Sequence, residues 1–170
     1  MKVLITGGAG YLGTVLTEEI LNRFPYAKVI IYDNLMYKQD GLFSFFKHPK
    51  DRFEFVYGDV RDKNSLLEQL QKLDKNNDYV IPLAAIVGFP ACARDEKLAT
   101  AVNFEHVKYI VQSTKCRIIY PNTNSGYGVS DGEAHCTEET PLAPISVYGK
   151  TKCDAEEWVL GAGHTSLRLA

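Results

Sequence analysis

At 170 residues the chain has the length of one domain and enough mass to bury a sizeable core. With 45% hydrophobic residues and a formal net charge of −2, it has the composition of an ordinary soluble globular protein, and its charge offers nothing to nucleic acid or to an anionic membrane surface. No apolar run approaches the roughly 20 residues that span a bilayer, and the N-terminus lacks a basic segment followed by an apolar one.

The chain opens with an apolar run, Lys2–Thr6, that reads as a buried strand. Leu12, Val15, Leu16, Ile20 and Phe24 then fall on one face of a helix that Pro25 ends. Lys28–Tyr32 is a second continuous apolar strand, the mark of a sheet covered on both faces. A looser stretch follows, with Leu42, Phe45 and Phe46 on one face of a short helix, and Phe53–Tyr57 is the third strand. Asp62 caps a helix with Leu66, Leu67, Leu70 and Leu73 on its apolar face. Tyr79–Leu83 is the fourth strand, Lys97 to Ser113 a long helix, and Arg117–Tyr120 the fifth strand. Asn122 to Pro144 is rich in Gly, Ser, Asn, Thr and Pro, and too long for a plain connector. A helix over Val147–Leu160 and a strand starting at Ser166–Ala170 complete the order. Strands alternating with helices imply one α/β domain over 1–170, with an open, parallel, doubly wound sheet.

The turn after the first strand carries the first chemistry. Thr6-Gly7-x-x-Gly10-x-x-Gly13 lies between a strand and a helix start. In that context Gly7 makes the sharp turn, Gly10 lets the backbone approach a pyrophosphate and Gly13 lets the helix pack close to the sheet. No Lys-Ser/Thr follows, which excludes a Walker A loop. Asp33 ends the second strand about 20 residues further on, where a carboxylate accepts from ribose hydroxyls. Asn34, not an arginine, follows it, which favours NAD over NADP.

Tyr148 and Lys152 stand at i and i+4 on one helix. An ammonium beside a phenol favours the phenolate, so the pair is suited to taking a proton from an alcohol. A third group must hold the reacting hydroxyl. Thr123 and its rival Ser125 lie just past the fifth strand, at the sheet edge where ligands bind in open α/β folds. Cys92, Cys116, Cys136 and Cys153 form no C-x-x-C pair and read as reduced packing residues of a cytoplasmic protein. The four histidines are equally scattered, and no metal site is expected.

Together, the glycine turn, Asp33, Gly58-Asp59-Val60, Leu83-Ala84-Ala85, Asn103, Thr123 with Tyr127-Gly128, and Tyr148-x-x-x-Lys152 resemble the extended short-chain dehydrogenase/reductases. Among these the chain is similar to the nucleotide-sugar epimerases and dehydratases. The resemblance implies a Rossmann fold, NAD as cofactor and a nucleotide sugar as substrate. It selects Thr123 over Ser125 as the catalytic hydroxyl, makes Tyr148 the general base, and gives Lys152 the nicotinamide ribose and the lowering of the tyrosine pKa. It further implies that the Tyr11 and Leu12 backbone covers the pyrophosphate, that Asp59 and Val60 flank the adenine, that Leu83, Ala84, Ala85 and Ile86 line the wall behind the cofactor, and that Asn103 braces the site.

Three positions depart from the family pattern. Pro82 stands where a histidine usually begins the fourth-strand motif. Asn124 and Ser125 stand where 4,6-dehydratases carry Asp-Glu, which speaks against elimination. Ile81–Gly88 with Tyr120–Gly128 looks most like a subgroup acting at C4 of GDP-linked sugars. Epimerisation at C4 is the leading reading, net C4 dehydrogenation the alternative, and a non-catalytic NAD sensor the reading of another class. The resemblance also implies a homodimer through the 97–113 and 147–160 helices, with Val102, Phe104, Val107, Ile110, Val147 and Trp158 as apolar residues that look exposed. Family members continue past this point into a C-terminal substrate domain, expected to be missing from these 170 residues.

Overall fold

The computed structural model describes residues 1–129 and 136–169. Residues 130–135, inside the Asn122 to Pro144 stretch, and Ala170, at the end of the last expected strand, lie outside them. Six parallel strands form one sheet in the order β3-β2-β1-β4-β5-β6, with β1 Lys2–Thr6, β2 Lys28–Asp33, β3 Phe53–Tyr57, β4 Tyr79–Pro82, β5 Arg117–Thr123 and β6 Thr165–Leu169. This is the order of the dinucleotide-binding doubly wound fold. The chain reverses its direction of travel across the sheet between β1 and β4, which opens a crevice at the carboxyl ends of those strands.

Alternate residues of the strands feed two cores, as a period of two requires. Val3, Ile5, Val29 and Ile31 pack with Leu42 and Phe45 under helix α1 (Tyr11–Arg23). Leu4, Ile30, Tyr32, Val80, Ile118 and Tyr120 face the other way. That side is covered by α2 (Lys63–Leu70), α3 (Phe89–Arg94), α4 (Glu96–Thr100), α5 (His106–Ser113) and α6 (Val147–Gly161). Asp62 caps α2 as its position suggests, accepting from the Asn64 and Ser65 amides at 3.1 Å each.

Three expectations need correction. First, α1 buries Gly13, Thr17, Ile20 and Leu21, whereas Leu12, Val15 and Phe24 are about half exposed. Close packing of a glycine, not hydrophobicity, sets this face: a Cβ on Gly13 would come within 2.4 Å of the Gly8 carbonyl oxygen. Second, the long helix begins at Glu96, capped by Asp95, and is broken by a π-helical turn over Ala101–Glu105, where the His106 amide reaches back to the Ala101 carbonyl. The short α3 before it was not foreseen, although Pro90 in its first turn is a start signal. Third, Val102, Val107 and Ile110 are buried in the chain's own core. Of the six residues named for a dimer face only Trp158 is plainly exposed, with Phe104 and Val147 half-buried.

Candidate functional site

The crevice at the carboxyl ends of the strands is a cavity of about 720 Å³, within the range of cofactor sites. Its floor is the turn from β1 to α1. Gly7 adopts φ +69°, and a Cβ there would lie 2.4 Å from the Ala84 amide nitrogen, so only glycine lets β1 and the end of β4 lie this close. Gly10 starts α1 without a side-chain cap. The amides of Tyr11 and Leu12, both lining the cavity, belong to a first turn that has no intrahelical acceptors. Free N–H groups and the positive end of the helix dipole together suit a diphosphate.

Asp33 closes the turn from the neighbouring strand. It accepts from the Ala9 amide at 3.0 Å and from Leu35 at 2.7 Å. A carboxylate has about four lone-pair positions, so capacity remains for a sugar hydroxyl. Asn34 joins Asp59 at 3.1 Å. Hydrogen bonds from Arg61, with burial acting against them, hold the Asp59 carboxyl at about 2. Val60, Leu83, Ala84, Ala85 and Ile86 supply apolar walls. Sequence reasoning missed Tyr37, Gln39, Val102 and Asn122 on the lining. The unpartnered buried Oε1 of Gln39 and Nδ2 of Asn122 mark them only once the fold is known.

At the far end of the same cavity stand Thr123, Tyr148 and Lys152. Strand β5 runs three residues beyond its expected end and stops at Thr123, whose hydroxyl accepts from the Ser125 amide at 3.2 Å. Ser125 itself, the rival, does not line the cavity. Helix α6 carries Tyr148 and Lys152, with Ser146 as its cap. Gly149 lets that first turn approach the Ser125 carbonyl, from which a Cβ would stand 2.9 Å.

Lys152 is buried, and its Nζ donates to the Pro121 carbonyl at 2.7 Å while lying 4.1 Å from the Tyr120 ring centroid. Burial pushes its ammonium down to about 7. The expected lowering of the Tyr148 phenol is not found. Burial pushes it up, the Cys92 thiol adds to the rise, and only the Thr123 hydroxyl opposes it. The reason is orientation and charge: the lysine head is turned to Pro121 and Tyr120, and its own burial disfavours the ammonium.

Asn103 is not on the cavity wall. From the π turn its Oδ1 accepts from the Ile86 amide at 2.8 Å and its Nδ2 donates to the Ile86 carbonyl at 3.0 Å, as a neighbouring strand would. It thereby fixes the wall segment from behind. Behind α6, Glu156 accepts from Ser166 and from Arg168 at 2.6–3.1 Å, tying the helix to β6. Among the described residues, no group of three His, Cys, Asp or Glu side chains converges on a metal position, and no helix is long and apolar enough to cross a membrane.

Comparison with known proteins agrees with this architecture. The chain is 32% identical over 171 residues to the low-salt glycan biosynthesis protein Agl12 of Haloferax volcanii, an alignment covering 92% of this chain and 50% of the relative. It is 28% identical to the CDP-paratose 2-epimerase of Salmonella typhi, covering 94% and 52%. Among solved structures, the UDP-glucuronic acid 4-epimerase of Bacillus cereus, in complex with UDP-glucuronic acid and NAD, superposes with a TM-score of 0.86 at 25% identity, covering 99% of this chain and 56% of that one. The chain thus spans about half the length of the relatives it matches. The model of the NAD dependent epimerase/dehydratase family matches residues 3–168, and with the glycine turn, the strand-end acid and the Tyr-Lys helix all on one crevice, the chain belongs to that family.

Proposed function

We propose that these residues form the cofactor-binding and catalytic half of a cytoplasmic, NAD-dependent enzyme that acts on a nucleotide sugar by hydride transfer at the sugar C4, as an epimerase does. The observation that carries the reading is the convergence of Thr123, Tyr148 and Lys152 on the cavity that the glycine turn opens. The turn amides and Asp33 hold the cofactor's diphosphate and ribose, and Asn34, Asp59 and Val60 enclose its adenine end. Bound there, NAD supplies a hydride acceptor.

Tyr148 takes the hydroxyl proton as general base, and Thr123 orients that hydroxyl. Lys152, when protonated, is the chain's own source of the positive charge that favours the phenolate. The apolar walls exclude water, which strengthens each of these interactions. Asn124 and Ser125 offer neither an acid nor a base that titrates in the working range, so the chemistry favours C4 epimerisation over the dehydration that other family members perform. Relatives named for UDP-, CDP- and dTDP-sugars support the substrate class. A homodimer through the outward faces of α5 and α6 belongs to the same reading. There Lys108 lies 4.6 Å from the Trp158 ring and 5.6 Å from that of Phe104.

The test is Tyr148→Phe in the full-length enzyme, assayed against UDP-, GDP- and TDP-sugars. Turnover falls by about 10²–10⁴-fold, while NAD affinity stays within a few-fold. Normal turnover by Tyr148→Phe overturns the assignment.

A further inference from the structure

The proposed chemistry needs a charged, fixed lysine head, yet Lys152 sits where charge is costly. It is 6% exposed, and burial disfavours its ammonium. The anion closest in sequence, Glu156, favours the ammonium through space, but it accepts its hydrogen bonds from Arg168 and Ser166 and makes no ion pair with Lys152 among the described residues. The other ionisable groups around it are Tyr148 and Cys153 on α6, His106 on α5, and Tyr120 on β5. His106 is held largely neutral by its own burial, which brings its pKa to about 4. None of these is an anion at neutral pH that can serve as a counter-ion.

Tyr120 stands out in this shell. It is fully buried at the middle of β5, and its ring centroid lies 4.1 Å from Lys152 Nζ, well inside the range of a cation–π contact. Its hydroxyl donates at 3.3 Å to the backbone carbonyl of the same lysine. A buried tyrosine must place its O–H on an acceptor, and here the acceptor belongs to the residue whose head the ring covers.

We propose that Tyr120 is the positioning residue for Lys152, gripping it at both ends: the ring face stabilises the ammonium and aims it at the Pro121 carbonyl, and the phenol oxygen fixes the helix backbone beneath it. The assignment rests on the proposed role of Lys152 in the NAD site. Filling the same volume with an aliphatic side chain satisfies packing but supplies neither hold.

The test reads the lysine directly. Protein carrying ¹³C-labelled lysine is titrated by NMR, with the Lys152 resonance assigned by its loss in Lys152→Met, and NAD affinity is measured by calorimetry on the same samples. Tyr120→Phe keeps the ring face, so the Lys152 midpoint holds within a few tenths of a pH unit while NAD binds two- to threefold more weakly. Tyr120→Leu lowers the midpoint by about one pH unit and weakens NAD about tenfold at pH 8. Pentafluorophenylalanine at position 120 keeps the ring's shape but removes its negative face, and it lowers the midpoint as leucine does; it decides the matter if the leucine variant fails to fold. A midpoint at or above the wild-type value with the fluorinated ring overturns the proposal. Wild-type protein that binds no NAD overturns the cofactor reading instead, and the lysine titration still decides the part played by Tyr120.

Discussion

Replacing Asn103 by alanine tests how the wall of the cavity is held. The side chain is 1% exposed and satisfies both backbone groups of Ile86. After the substitution the Ile86 carbonyl keeps a contact from the Cys92 thiol at 3.1 Å, a weak donor. The Ile86 amide keeps no partner among the described residues. A buried donor left unpaired costs about 1–3 kcal/mol, and the void left by the truncated amide adds about 1 kcal/mol. The sum is about 3 kcal/mol, a large share of the 5–15 kcal/mol typical of a folded domain. With a urea slope of about 2 kcal/mol per molar, the unfolding midpoint falls by about 1.5 M. Trp158, the one tryptophan, reports the transition by fluorescence. Ile86 lines the cavity, so NAD binding weakens together with stability. A midpoint shift under about 0.3 M would refute the idea that this amide carries the wall.

Two further substitutions probe the turn and the buried lysine. Gly13→Ala drives a methyl into the Gly8 backbone, so it lowers stability by about 1–3 kcal/mol and NAD affinity by at least tenfold. Gly161→Ala meets nothing within 4 Å at the end of α6 and gains up to about 1 kcal/mol; similar outcomes for the two glycines in thermal melts and calorimetry contradict the close-packing account. Lys152 carries a folded-state pKa near 7, below its unfolded value of about 10.4. Between those limits the unfolded chain binds the extra proton, so this residue makes stability rise with pH. Lys152→Met removes that rise and is more stable than the wild type at pH 6. Melting curves at pH 6, 8 and 10 that run parallel for the two proteins contradict the burial of its charge.

The sheet was legible because buried parallel strands are continuous apolar runs, and Lys2–Thr6 appears where that pattern sets it, as does the less buried edge strand Phe53–Tyr57. Helix faces were less legible. In α1 the apolar stripe points to Leu12 and Val15, but the need for Gly13 to touch Gly8 turns the helix so that Thr17 is inside. The helix through Asn103 reads as one periodic segment, and nothing local announces a π turn; the contact it places Asn103 to make, with Ile86, is 17 residues away. The same limit applies to the site. Spacing picks out Thr123, Tyr148 and Lys152, but whether an ammonium faces the phenol or a carbonyl depends on where β5 ends. Tyr37 and Gln39 reach the cavity from a loop in which Leu35 and Lys38 both adopt positive φ, a conformation that neither residue type signals.

The widened turn at Ala101–Glu105 has a bearing on how such a chain tolerates change. It accommodates one residue more than regular winding would. Removing one residue within it would restore ordinary winding and leave the residues downstream on the faces they now hold, whereas removing one from a regular turn would rotate everything downstream by about 100°. In that second case Val107 and Ile110 would swing away from the sheet and Lys108 would turn inward. The widened turn is therefore the place where this helical segment can absorb the loss of a residue, which its regular turns cannot.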